Sequence, residues 1–424
     1  MITNIELLKK LVYNGARSKK LPLTDIVLDR LNYELSIIEK QNFCDYFITH
    51  ARIIEVCNEL NLLRSYNRGS AANSMVNYCL DITKINPLEE HLIFERFILP
   101  QQIKLPDIDI DIPKGSQDIV IEKLKLKYPE YNSYFIAYLP KYDTEKMDVH
   151  YNDIVFKRHP CGFVITTEKL SNLNTFMYEE QEYYLVLDQK NDEIYDGKFD
   201  FVEQEALNRL QLIVNQIGKK YHPYKLPLND EKVFNLFASG DLDNIFQFDS
   251  PTLKPLLAQF KPNSIYDLSI LFALFRPPLA DYIPTIIHYK FNGNTHYFHS
   301  DTRVYDILNE TYGLLIYQET FLQLLNKIAG ISFAEAELWR RKIMSNKSNT
   351  EINSFISIFN KGCKKNSTLN DIEITSLNNL IINMINYTFQ KTHSLSYAII
   401  AYWCAYYKTY FKAEFDKAYS SNII

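Results

Sequence analysis

The chain has 424 residues, 46% of them hydrophobic and 23% charged, an ordinary globular composition able to bury a sizeable core and long enough for two to four structural units at roughly 150 residues each. Its first residues lack the basic and then apolar layout of a secretory signal, and no apolar run is long enough to span a bilayer. The six cysteines are scattered without a Cys-x-x-Cys pair, which excludes a zinc-finger spacing and points to a reduced, cytoplasmic protein. The net charge of −5 argues mildly against a chain that coats a polyanion.

Residues 1–65 read as helical scaffold, with Ile26, Val27, Leu31, Leu35 and Ile38, then Ile53, Ile54, Cys57 and Leu60, near helical spacing. The turn Arg68-Gly69-Ser70 follows and leads into an apolar spacing from Ala72 to Leu80 that predicts an amphipathic helix. Such a turn offers backbone N–H groups and a positive dipole end to phosphate, although an ordinary serine N-cap has the same appearance.

The stretch 103–112 alternates from Asp107 onward between aspartate and isoleucine, the period of a strand. Ile108, Ile110 and Ile112 then share one face, and Asp107, Asp109 and Asp111 the other. Carboxylates at that spacing, roughly 6.5–7 Å apart at Cα, repel when ionised. A divalent cation turns the repulsion into coordination, which points to a metal platform for phosphoryl or nucleotidyl transfer. A strand whose acids face solvent remains the plain alternative. An EF-hand loop fits poorly, since Ile112 stands where glycine is needed and Asp118 where the final glutamate is needed. Lys198-Phe199-Asp200-Phe201 alternates again and puts Lys198 and Asp200 on one strand face.

Beyond the linker-like run 219–230, with Pro223 and Pro227, apolar spacing is helical near 231–238, 251–260, 302–310, 315–329, 334–344, 351–361, 370–387 and 394–418. A local basic excess lies between Arg340 and Lys365, opposed only by Glu351. A basic region apart from an acidic strand is the layout of an enzyme that holds nucleic acid and does Mg²⁺ chemistry on it, and a solvated helix face carries such charge equally well.

The order of these motifs resembles the C-family replicative DNA polymerases, the bacterial DNA polymerase III alpha subunit, through nearly the whole chain. Arg68-Gly69-Ser70 is similar to the family's Gly-Arg-Gly-Ser loop, and Phe94-Glu95-Arg96-Phe97 leading to Pro106-Asp107-Ile108-Asp109 resembles its palm motif. His159-Pro160-Cys161-Gly162-Phe163-Val164-Ile165 resembles its His-Ala-Ala-Gly-Val-Val-Ile strand, and Lys198–Phe201 its third-aspartate strand. Phe246–Ser250, Ala273–Pro277, Thr311–Gly313, Tyr317–Glu319, Ala336–Arg341 and Phe389–Ala398 resemble fingers motifs.

The resemblance implies a mixed α/β fold: a nucleotidyltransferase-type palm with a mixed β-sheet, and a large α-helical fingers domain. It implies that Asp107, Asp109 and Asp200 are catalytic and hold two Mg²⁺. It implies that Arg68, Gly69, Ser70, Arg96 and Lys198 contact the triphosphate, that Arg340 and Arg341 lie on the fingers side of nucleotide and template, and that Asp111 is secondary. The expected division is an N-terminal helical part of the palm at 1–65, a first palm part with the catalytic strand at 66–139, a vestigial thumb or connector at 140–157, a second palm part at 158–218, a linker at 219–230 and fingers at 231–424.

The expected function is template-directed addition of dNTPs to a primer 3′ end, with primer-template DNA and dNTP as partners and replication or repair proteins supplying processivity. The alternative is a catalytically weak paralogue that acts as a DNA- or replisome-binding accessory protein. Template-independent nucleotidyl transfer is a third reading. Departures from the family's pattern are the absence of its phosphoesterase-like, clamp-binding, helix-hairpin-helix and OB-type regions and a short thumb segment, from which weak grip and low processivity are expected. Asn67 and Asn73 replace glycines, Gln102 replaces an arginine with Lys104 nearby, and Pro278 interrupts an Arg-Pro-Gly-Pro. No proofreading signature is present, and none is expected.

Overall fold

The computed structural model describes residues 3–138, 148–151, 154–170, 175–178, 181–186, 197–275, 277–293, 300–345 and 348–420. The chain divides into two compact units: Met1–Ala71, Met75–Lys84 and Ile103–Gln211 form the first, and Ala72–Ser74, Ile85–Gln102 and Leu212–Ile424 the second. The fold is mixed α/β with a large helical part, as the sequence implies.

The first unit opens with helices α1 (Asn4–Ser18), α2 (Asp25–Lys40), α3 (Cys44–Glu59) and the short α4 (Met75–Cys79). Thr3 and Glu6 close α1 with a reciprocal capping box, which satisfies two otherwise orphaned backbone donors. Gly15 lets α1 cross α4 closely, because a Cβ there would stand 1.8 Å from the Cys79 carbonyl oxygen. The Glu34 carboxylate of α2, fully buried, accepts from the Met75 and Val76 N–H groups at 2.9 and 3.0 Å and so caps α4. The amphipathic helix expected from the spacing Ala72 to Leu80 is the short α4, preceded by a 3₁₀ turn at Ala71–Asn73.

Seven strands follow with helix α5 (Gln117–Lys127) among them: β1 (Asp109–Pro113), β2 (Asn132–Tyr138), β3 (Asp148–Tyr151), β4 (Ile154–Thr166), β5 (Thr175–Tyr178), β6 (Gln181–Val186) and β7 (Lys198–Gln204). They form one mixed sheet in the order β1-β7-β4-β2-β6-β5, with β3 paired to β4. β1 and β7 are parallel, and β7 and β4 antiparallel. The strand expected over 103–112 begins only at Asp109. Pro106 has no N–H to extend the ladder, and Ile103 is 92% exposed. Strands β2, β3, β5 and β6 were not foreseen from the sequence. Of the segment 140–157, residues 148–151 and 154–157 are described, and they lie in β3 and β4; the remainder lies outside the described residues.

One sheet face is covered by α3. Its Tyr46 and His50 rings lie 5.2 and 4.7 Å from Phe199, and Phe163 and Phe201 pack beside them at 5.3 Å. The alternation in β1 and β7 thus buries Ile110, Ile112, Phe199 and Phe201 toward the helices and turns Asp109, Asp111, Lys198 and Asp200 to the other face.

The second unit is helical and is built on Lys391–Tyr410, a helix buried on nearly every side. Against it lies Ile265–Leu274, where Ser269 Oγ is 2.9 Å from both Tyr317 Oη and Ser394 Oγ. Helices at Glu231–Ser239, Leu253–Phe260, Thr302–Leu308, Gln318–Lys327, Phe333–Ser345, Asn349–Asn366 and Asp371–Met384 correspond to expected ones. The one expected over 394–418 is two helices, since Phe411 leaves helical backbone and Lys412–Ser420 follows. Ile265–Leu274 and Ile283–Asn292 are additional: the first is buried on nearly every side, Tyr266 apart, and so has little amphipathic period to read. No helix among the described residues is long and apolar enough to cross a membrane.

Candidate active site

Parallel pairing puts Asp109 opposite Asp200, and Asp107 sits on the segment that enters β1. Carboxylate oxygens of Asp107, Asp109 and Asp200 lie within 4.8 Å of one another. Burial, then the charges of Asp107 and Asp200, push the Asp109 carboxyl up to about 7. Burial and Asp200 likewise raise Asp107. The cluster is short of positive charge, and its all-oxygen donor set suits a hard divalent cation.

Two cations border it. Arg68 Nε is 3.5 Å from Asp109 Oδ2, and its Nη1 is 3.2 Å from Asp111 Oδ1. Lys198 Nζ is 3.2 Å from Asp200 Oδ2. Gly69 has φ +60°, a left-handed conformation, and its carbonyl accepts from Asn67 Nδ2 at 2.8 Å. Asn67, at a position where the resemblance has glycine, thereby closes the turn that carries Arg68 and Ser70.

Asp111 has a more specific place than its secondary standing in the sequence suggests. It is 1% exposed and its Oδ1 also accepts from Gln204 Nε2 at 3.2 Å, so it anchors Arg68 from behind. The signal was present in the alternation, which puts Asp111 on the Asp109 face. His50 lies in the stretch that reads only as helical scaffold. Its Nδ1 is 2.9 Å from the Tyr46 carbonyl oxygen and its Nε2 3.4 Å from that of Ile108, the residue between Asp107 and Asp109. Nothing in a lone helical histidine signals that contact.

The other three site candidates lie together in the second unit. Arg340 Nε and Nη2 donate to Glu337 Oε2 and Oε1 at 2.7 and 2.8 Å, and Arg341 Nε donates to Oε1 at 2.7 Å. Arg96 donates from Nε and Nη2 to Gln318 Oε1 at 2.9 and 2.7 Å, and its Nη1 is 3.8 Å from Glu337 Oε1. Glu337 is fully buried and Arg96 and Arg340 nearly so, whereas the Arg341 side chain is 46% exposed. Three guanidiniums thus face two buried carboxylates, Glu337 and, for Arg96, Glu319 as well, and burial followed by repulsion from Arg340 lowers the Arg96 pKa. That excess of positive charge is an anion-binding character. Glu337, which the sequence places in a fingers motif without a role of its own, organises it. Arg276, part of a fingers motif, lies outside the described residues.

Residues 6–150 match the family model described as the bacterial DNA polymerase III alpha NTPase domain, and residues 204–367 match that of the bacterial DNA polymerase III alpha subunit finger domain. Among curated proteins the sequence is similar to the DNA polymerase III subunit alpha of Halalkalibacterium halodurans, with 29% identity over 98% of this chain and 43% of the relative. The protein of that name from Ureaplasma parvum is 29% identical over 98% of this chain and 49% of the relative. That from Bacillus subtilis is 28% identical over 97% and 42%. The chain spans less than half the length of these relatives.

Proposed function

Since the chain belongs to the bacterial DNA polymerase III alpha subunit family, we propose that it is a DNA-directed DNA polymerase that adds deoxynucleotides to a primer 3′ end on a template. The observation that carries this reading is the trio of Asp107, Asp109 and Asp200, with carboxylate oxygens within 4.8 Å of one another and Arg68 and Lys198 on its border.

The trio fits divalent cations by donor type and by its excess negative charge, and Asp107, Asp109 and Asp200 would hold two Mg²⁺. Bound there, Mg²⁺ supplies the Lewis acidity that makes a primer 3′-hydroxyl nucleophilic and neutralises charge on the departing pyrophosphate. The chain's own residues orient the reactants. Arg68, held by Asp111, and the N–H groups of the Gly69-Ser70 turn bind triphosphate oxygens, and Lys198 offers a second charge to them. Arg96, Arg340 and Arg341, three guanidiniums against the carboxylates of Glu337 and Glu319, bind nucleotide or backbone phosphate. A side-chain nucleophile is not needed, because the primer hydroxyl attacks directly.

Primer extension with template, dNTPs and Mg²⁺ tests the reading. Wild type should incorporate, and Asp107→Ala with Asp109→Ala should not. Incorporation without a template would replace it with untemplated nucleotidyl transfer, while DNA binding with no synthesis by either protein would leave an accessory binding role.

A further inference from the structure

The pairing of β4 with β2 slips register beside Gly162, the residue that β4 sets opposite Asp200. Ala137 of β2 pairs with Arg158 and Phe135 with Phe163, so Ile136 alone spans the four residues from His159 to Gly162. This excursion is held from within: His159 Nδ1 accepts from the Gly162 N–H at 2.8 Å and from the Cys161 N–H at 3.3 Å. Gly162 is what admits the ring, since a Cβ there would stand 2.8 Å from Nδ1. The bulge brings Cys161 Sγ to 3.5 Å from Asp200 Oδ1 and 3.7 Å from His159 Nδ1. One nitrogen, one sulfur and one oxygen therefore lie within 4.8 Å of one another.

Chemically this set differs from the carboxylate trio with which it shares Asp200. Oxygen donors alone suit Mg²⁺, whereas imidazole, thiolate and carboxylate together suit Zn²⁺ and its relatives. Nδ1 accepts from two N–H groups and is therefore unprotonated, the state in which imidazole ligates a metal. Cys161 is also reachable, because the other five cysteines are buried and it is not.

We propose that His159, Cys161 and Asp200 form a second divalent-cation site, for thiophilic ions of the Zn²⁺ class, whose occupation takes Asp200 from the carboxylate trio. On binding, the Sγ–H bond breaks, a sulfur–metal bond forms and the proton goes to buffer; the two N–H bonds to Nδ1 are exchanged for the metal. An ion of this class is then an antagonist of the Mg²⁺-dependent reaction. The antagonism rests on the polymerase reading and the binding site does not.

The test is titration of the full chain with Co²⁺ or Cd²⁺ alone, followed by thiolate-to-metal charge-transfer absorption. Wild type should develop the band at one equivalent, and Cys161→Ala and the near-isosteric Cys161→Ser should both lack it. His159→Gln should weaken binding at least about as much as loss of an outer-shell partner does, roughly tenfold or more. Absence of the band in wild type, or an undiminished band in both Cys161 variants, overturns the site. In primer extension at saturating Mg²⁺, Zn²⁺ should inhibit wild type at concentrations at least about tenfold below those that inhibit Cys161→Ala. A band without extension supports the site and sinks the polymerase reading; extension without a band does the reverse.

Discussion

Asp109 stands opposite Asp200 across the parallel β1–β7 ladder, so the backbone itself fixes both carboxylates on one sheet face about one strand spacing apart, roughly 4.8 Å. Side-chain rotation relieves little of their repulsion. Either Asp109→Asn or Asp200→Asn should therefore cut primer extension by on the order of 10²–10⁴-fold, the equivalent of several kcal/mol of lost metal-assisted stabilisation. The same variants should melt, without divalent ions, no lower than wild type. Mg²⁺ should raise the melting temperature of wild type and not that of the variants, which thermal scanning with and without the ion reads directly.

Asp111 acts at one remove, through Arg68. Its carboxylate is buried and meets both Arg68 Nη1 and Gln204 Nε2 at 3.2 Å. Asp111→Asn keeps a polar partner for these donors but removes the charge that orients the guanidinium. The expected outcome is a dNTP KM raised roughly tenfold with a smaller change in kcat, about the value of one charge-assisted hydrogen bond. Steady-state kinetics separates the two constants, and Arg68→Ala should be no worse when combined with Asp111→Asn than alone, since both remove one interaction. An additive double variant would show that Asp111 does something other than hold Arg68.

These two cases show what the sequence carried and where it stopped. Alternation in 107–112 and 198–201 is a local period, and it located the aspartate-bearing face because a strand's two faces differ by one residue. Where β1 begins is not local: it depends on β7 as a partner and on Pro106, so the expected start at Ile103 was six residues early. The bulge at His159–Gly162 is likewise invisible in the chain, because it is a mismatch of register between β4 and β2. Ile265–Leu274 is hidden for the opposite reason, being buried on nearly every side, Asp267 and Ser269 included. Arg340 and Arg341 read as one basic run, yet burial separates them.

His50 should make the fold acid-sensitive in a defined window. Burial comes first among the causes that push its pKa down to about 4, and the bonds to Tyr46 and Ile108 only partly oppose it. The unfolded chain takes a proton near pH 6.5 and the folded one only near 4, so the unfolded state binds more protons between these values. Stability is thus fully present above about pH 6.5 and falls by about 3 kcal/mol as pH drops to 4. His50→Gln should start less stable, having lost the fitted ring against Phe199, but should lack that share of the slope. Urea denaturation at several pH values between 4 and 7 measures the difference between the two slopes; parallel slopes would place the acid sensitivity elsewhere.

Arg340 and Arg341 are neighbours that contact the same glutamate, and they should fail differently. Arg340 is 7% exposed and makes two bonds to Glu337, which is fully buried. Removing it strands part of a buried charge, although Arg341 and Arg96 still face Glu337, so Arg340→Ala should cost about 3 kcal/mol, near the lower end for a broken buried pair. The Arg341 side chain is 46% exposed and makes one bond to Glu337. Arg341→Ala should change stability by no more than about 1 kcal/mol while weakening binding of DNA or nucleotide and flattening its salt dependence. Chemical denaturation and fluorescence anisotropy with a labelled primer-template, at two salt concentrations, separate the outcomes. Should Arg341→Ala bind as wild type does at both, the exposed guanidinium is a structural partner of Glu337 and not a phosphate ligand.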